Sequence, residues 1–191
     1  MKILCYGDSN TYGYDPRSFF GDRYDTHVRW VDRIAEKGKW TVLNWGENGQ
    51  EIPSRPVKFP DSVDLLIIML GTNDLLQGRD AQAVKTRMHR FLRQISYANV
   101  KILLVAPPAL CRGQWVTDER VIHQAALVGS YFCDLAQEEE IFFVNADTWH
   151  IPLAFDGVHF TEEGHIIFAD RLYLFLKEIL INDNSECQIF L

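Results

Sequence analysis

Leu65-Leu66-Ile67-Ile68-Met69-Leu70, running into Gly71-Thr72-Asn73-Asp74, is the stretch that decides the fold. Six apolar residues follow one another with no polar alternation, and a turn-prone Gly-Thr-Asn-Asp ends them. A half-buried strand would alternate, so a run this uniform reads as a strand covered on both faces. Strands of that kind belong to parallel sheets with helices on either side. Four further runs read as strands: Lys2–Tyr6, Trp40–Asn44, Val100–Ala106 and Ile141–Val144, with the deciding strand spanning Val63–Leu70.

Helical periodicity fills the gaps. In residues 81–97, Val84, Met88, Phe91, Leu92 and Ile95 fall on one face. In residues 117–139, Val121, Ala125, Val128, Phe132 and Leu135 do the same. A last helix is expected from about Thr161, a suitable N-cap, with Glu162 and Glu163 where the helix dipole favours acids, to about Ile181. Alternating strands and helices imply right-handed crossovers and a three-layer α/β/α sandwich. The expected sheet is flavodoxin-like, parallel and five-stranded, in the order 2-1-3-4-5. Residues 1–182 are expected to form a single domain, and 183–191 a tail.

In such a sheet the ligand site lies beyond the carboxyl ends of the strands. Two polar stretches stand there. Lys2-Ile3-Leu4-Cys5-Tyr6-Gly7-Asp8-Ser9-Asn10 delivers a serine after the first strand, and Gly71-Thr72-Asn73-Asp74 delivers an amide after the third. Far downstream, Asp156-Gly157-Val158-His159 sets an acid three residues before a base. A serine hydroxyl is a poor nucleophile until a base takes its proton, and a carboxylate orients that base. Histidine, with an ordinary pKa near ~6.5, is available for the task at neutral pH. Each residue also has a plainer reading. Ser9 or Asn73 can cap a helix, Asp74 is read as structural, Asp8 as a loop-ordering group, and Asp156-Gly157 is ordinary turn chemistry. Asp147, after the fifth strand, is the competing acid.

The motifs resemble those of the GDSL or SGNH hydrolase family. Gly7-Asp8-Ser9-Asn10 matches the first block, Gly46 the second, Gly71-Thr72-Asn73-Asp74 the third and Asp156-Gly157-Val158-His159 the last, in order over almost the whole chain. Val28-Arg29-Trp30 and Val105-Ala106-Pro107-Pro108 strengthen a likeness to the arylesterase and acyltransferase branch. The resemblance implies Ser9 as nucleophile, His159 as general base and Asp156 as the residue orienting it. It implies an oxyanion hole built from the backbone N–H of Ser9, the backbone N–H of Gly46 and the side-chain amide of Asn73. The activity implied is hydrolysis of short-chain carboxylic esters, acetyl, aryl or carbohydrate, by a serine esterase that needs no cofactor and no metal. One departure stands out: where the family usually carries leucine after the serine, this chain has Asn10.

Composition narrows the alternatives. The net charge of −7 and pI near 5.3 disfavour a nucleic-acid partner. No apolar run reaches the ~18 residues of a membrane helix, and the opening run is too short for a signal peptide, so a cytoplasmic protein without a membrane partner is expected. Cys5, Cys111, Cys133 and Cys187 lack metal-site spacing and are read as free thiols. Six Lys or Arg against one Asp between Arg79 and Lys101 read as a docking face or a solvated helix. The tail ends in Ile189, Phe190 and Leu191, suited to docking on its own domain or on a second copy in a homo-oligomer, with disorder as the other reading. The aromatic residues Tyr12, Tyr14, Phe19, Phe20 and Trp30 either face the substrate or pack. Two other functions fit the scaffold less well. A receiver-like signalling domain would need a lysine after strand five, where Asn145-Ala146-Asp147-Thr148 stands. A catalytically silent binding module would not need the serine, histidine and acid together. Thioesterase or lysophospholipase activity with the same triad remains open within the enzyme reading.

Overall fold

A computed structural model describes residues 1–18, 20–60, 62–95 and 100–181, with the side chains of 180 and 181 left out. Five strands, β1 (Lys2–Gly7), β2 (Thr41–Gly46), β3 (Leu65–Met69), β4 (Lys101–Ala106) and β5 (Phe142–Asn145), form one parallel sheet in the order β2-β1-β3-β4-β5. This is the expected sheet. All five residues of β3 are buried. Leu66 and Ile68 join one core, while Leu65, Ile67 and Met69 join the other. The strand reads as uniformly apolar because both of its faces are covered. Truncating Ile67 or Ile68 to alanine would cost about 2–5 kcal/mol.

The core containing Leu66 lies under α3 (Thr72–Leu76), α4 (Ala81–Leu92) and α5 (Glu119–Glu138); the opposite core lies under α2 (Trp30–Gly38) and α6 (Glu162–Ile181). Val84, Met88, Phe91 and Leu92 of α4 are all buried, as their spacing predicts. Helix α4 stops at Leu92 instead of continuing to residue 97; residues 96–99 lie outside the described part. Thr161 begins α6, its Oγ1 accepting the Gly164 N–H at 2.9 Å. Helix α2 is not foreseen from the sequence. It is nine residues long and buries only Trp30, Val31 and Ile34.

The basic stretch is paired. Lys85 meets Glu138 at 3.0 Å and Arg93 meets Glu139 at 3.6 Å, across to α5, while Arg79 meets Glu51 at 2.9 Å. Arg87 pairs with Asp74 at 2.6 Å, so much of the stretch's charge is met within the fold. Cys5, Cys111 and Cys133 are free thiols. Phe19, Cys187 and the tail 183–191 lie outside the described residues. Among the described residues no helix is long and apolar enough to cross a membrane.

Topology positions the site. β1 lies between β2 and β3, with Gly7 in register with both Gly46 and Met69. The residues that follow Gly7 and Met69 therefore emerge side by side at the carboxyl edge. Gly7 itself allows the next turn to fold back closely. A Cβ there would lie 2.1 Å from Thr11 Oγ1 and 2.8 Å from the Met69 carbonyl oxygen.

Candidate active site

After Gly7 the chain turns at once into α1 (Ser9–Tyr12). Asp8 caps it, its Oδ1 accepting the Asn10 N–H at 2.9 Å. The expected loop-ordering role of Asp8 is thus a helix cap. Burial pushes the Asp8 carboxyl up to about 6, against the lowering influence of the Asn10 N–H and of nearby His159. Ser9, the first residue of the helix, is buried at the carboxyl edge of the sheet.

His159 comes to it from the far end of the chain. Its Nε2 stands 2.9 Å from Ser9 Oγ, and its Nδ1 is 2.7 Å from Asp156 Oδ2. Asp156 Oδ1 also accepts the backbone N–H groups of Val158 at 2.9 Å and His159 at 3.0 Å. Burial alone would raise the Asp156 carboxyl, but the His159 ring and these N–H groups outweigh it and hold it below the usual aspartate range. A carboxylate bonded to Nδ1–H leaves Nε2 as the acceptor, facing the serine hydroxyl. Asp147 is elsewhere: its Oδ1 accepts the Ala109 N–H at 3.0 Å.

The loop carrying Asp156 and His159 is held from several sides. The Ala154 N–H donates to the His159 carbonyl at 2.7 Å, and Leu153 pairs with Phe160 in an antiparallel bridge. The segment after β4 docks on it, with Cys111 N–H to Gly157 O at 3.1 Å and Trp115 N–H to Asp156 O at 3.0 Å. Gly157, at φ +81°, is required here, because a Cβ would meet the Cys111 carbonyl oxygen at 2.2 Å. Two aromatic rings flank the imidazole: Tyr14 at 4.6 Å and Trp115 at 5.1 Å between centroids.

A cavity of about 370 Å³ opens beside Ser9 and His159. Asn73, Asn48, Gly49, Leu76 and Val158 line it together with those rings. Asn73 sits on α3, next to Ser9 as the strand order requires. Its Nδ2 donates to the Gln50 carbonyl at 3.1 Å, which leaves the second amide hydrogen unused by that bond.

The Gly46 N–H, expected to face an oxyanion, has a partner within the fold. It donates to Asn44 Oδ1 at 2.9 Å, and a Cβ on Gly46 would lie 2.1 Å from the Tyr12 backbone nitrogen. Gly46 still belongs to β2, level with Gly7, and packs against α1 below the rim. Gly49, three residues on and with φ +76°, lines the cavity instead. Among the candidate aromatic residues, Tyr14 lines the cavity. Trp30 is buried under α1, its Nε1 donating to the Asn10 carbonyl at 2.9 Å, Arg23 covers the Tyr12 ring, and Phe20 is exposed. Trp115 is half exposed at the rim, and its aromatic character in a loop after β4 was its only sequence signal.

No group of three or more His, Cys, Asp or Glu residues able to hold a metal ion occurs among the described residues. His165 is wholly buried between Tyr24 and Phe160, and burial pushes it down to about 3. It is a packing residue, not a base.

Comparison with solved structures places the chain among esterases of this architecture. A protein of Agrobacterium tumefaciens assigned as an arylesterase is 27% identical, with a TM-score of 0.80 over 93% of this chain and 99% of the other. The aryl esterase of M. smegmatis is 23% identical, with a TM-score of 0.78 over 93% and 98%. Est24, a carbohydrate acetylesterase from Sinorhizobium meliloti, is 21% identical, with a TM-score of 0.78 over 93% and 99%. Comparison with curated proteins gives no match. The model of the GDSL-like lipase/acylhydrolase family matches residues 5–167, so the chain belongs to that family and is a carboxylic ester hydrolase.

Proposed function

We propose that this protein hydrolyses short-chain carboxylic esters through an acyl-enzyme on Ser9. One observation carries the reading: a continuous hydrogen-bonded chain from Ser9 Oγ through His159 to Asp156, at 2.9 and 2.7 Å, beside a cavity. Ser9 Oγ attacks the ester carbonyl carbon as its proton passes to His159 Nε2. Asp156, held ionised, steadies the imidazolium that forms. The carbonyl oxygen, now negative, accepts from the free amide hydrogen of Asn73 and from backbone N–H groups at Ser9 and Gly49, the latter in place of Gly46. As the C–O bond breaks, His159 returns the proton to the leaving alcohol. Water then attacks the acyl-enzyme by the same route in reverse.

The cavity's modest size and its Leu76 and Val158 walls favour a short acyl group over a long chain. Tyr14 and Trp115 offer flat faces to a ring-bearing alcohol, which suits aryl or sugar acetates. Long-chain lysophospholipids fit this space poorly. The test is a series of p-nitrophenyl esters from acetate upward, with acetylated sugars alongside, on wild type and Ser9→Ala. Acetate should be turned over fastest, and an organophosphonate should label wild type but not Ser9→Ala. A rate that climbs with chain length, or labelling that survives in Ser9→Ala, would overturn the reading.

A further inference from the structure

Asn10 stands where the family usually has leucine, and its side chain is committed to a task no leucine could perform. Its Nδ2 donates to the Val158 carbonyl at 3.1 Å, and its Oδ1 accepts the Phe160 N–H at 2.9 Å. These two residues flank His159. The amide of Asn10 thus bonds the backbone on both sides of His159. The His159 carbonyl is held as well, accepting the Ala154 N–H at 2.7 Å.

Asn10 is itself fixed on both sides. Asp8 Oδ1 accepts its N–H at 2.9 Å, and Trp30 Nε1 donates to its carbonyl at 2.9 Å. It is 4% exposed, so water does not compete for its amide. Because Asn10 directly follows Ser9, the two bonds tie the histidine segment to the turn that carries the serine, across about 150 residues of sequence.

We propose that Asn10 is a positioning residue that fixes the reach of His159 Nε2 to Ser9 Oγ. It touches neither substrate nor reacting atoms. The proposal rests on the reading that His159 is the base for Ser9. Such registration matters because a displacement on the order of 1 Å in a reacting pair can cost about 100-fold in rate.

The experiment pairs Asn10→Leu and the nearly isosteric Asn10→Asp with His159→Ala, measuring kcat and KM for p-nitrophenyl acetate and thermal unfolding for every variant. Asn10→Leu should lower kcat roughly 100-fold and move KM by less than about twofold. Asn10→Asp keeps the acceptor for Phe160 but sets an oxygen against the Val158 carbonyl, and should lower kcat about tenfold; it serves as the folded test if the leucine variant does not fold. Both losses should vanish in the His159→Ala background, because a residue that acts only by placing an imidazole has no effect once the imidazole is gone. If His159→Ala is nearly inactive but the Asn10 losses persist unchanged in it, the positioning proposal falls and the esterase reading stands. If His159→Ala keeps wild-type activity, both fall. If kcat survives in a folded Asn10→Asp and Asn10→Leu, only the proposal falls.

Discussion

Arg87 Nε lies 2.6 Å from Asp74 Oδ1, and the Asp74 side chain is entirely shut away from solvent. The other carboxylate oxygen accepts the Ile52 N–H at 2.9 Å, and Arg87 also donates to the Ile52 carbonyl. The pair thus fastens the segment after β2 to helix α3, on which Asn73 stands. Removing Arg87 would strand a buried charge. Arg87→Ala should destabilise the fold by about 3 kcal/mol, measured by urea unfolding. Arg93→Ala, which breaks an exposed pair, should cost less than about 1 kcal/mol. Burial already raises the Asp74 carboxyl, with the Ile52 N–H, Arg87 and Arg79 holding it back. Without Arg87 it rises further. An acid raised by folding contributes stability at low pH that is lost as pH climbs through its folded value, so the deficit of Arg87→Ala should be larger near about pH 8 than near about pH 5.

Asn73→Ala should act on the chemical step. In the proposed mechanism its amide hydrogen meets a negative charge present only in the transition state, so kcat should fall by about 10²–10³ while KM changes little. Steady-state kinetics on p-nitrophenyl acetate reads this directly. A change confined to KM would assign Asn73 to substrate binding instead.

His165 predicts a weakness in acid. Folding lowers its pKa from 6.5 to about 3, so its contribution to stability is fully present above 6.5 and is lost as pH falls toward 3. His165→Leu should flatten that part of the stability profile, measured by chemical unfolding at a series of pH values. The wild type should lose stability more steeply than the variant across the same window.

Asp8 has the opposite sign. Folding raises its carboxyl from 3.8 to about 6, so its contribution is present below 3.8 and is lost as pH rises through 6. Asp8→Asn keeps an oxygen to cap Asn10 and removes the titration. Relative to wild type it should gain stability on going from about pH 4 to about pH 8, in the same unfolding series.

What could be read from the sequence was what a local pattern dictates. Leu65–Leu70 announced a doubly covered strand because no polar residue interrupts it, and the blocks around Ser9, Asn73 and His159 each stand beside a strand or helix end where topology gathers them. Helix α2 was not legible, because its buried face amounts to three residues and a nine-residue helix shows little more than two turns of periodicity. The place of Gly46 was not legible either. It turns on β1–β2 register, which puts Gly46 level with Gly7 inside the sheet, and register is a property of two strands together. The bonds of Asn10 lie further still from local reading, since both partners are supplied by a loop near the other end of the domain.

Placing β1 beside β3, with the histidine on a loop that follows β5, has a temporal consequence. Ser9 leaves the ribosome about 150 residues ahead of its imidazole partner. At roughly 5–20 residues per second, about 7–30 seconds of synthesis separate them. Under the proposed mechanism the nascent chain would carry an unarmed serine throughout that interval, and ester chemistry would switch on only when the β5-to-α6 loop has emerged and closed over it.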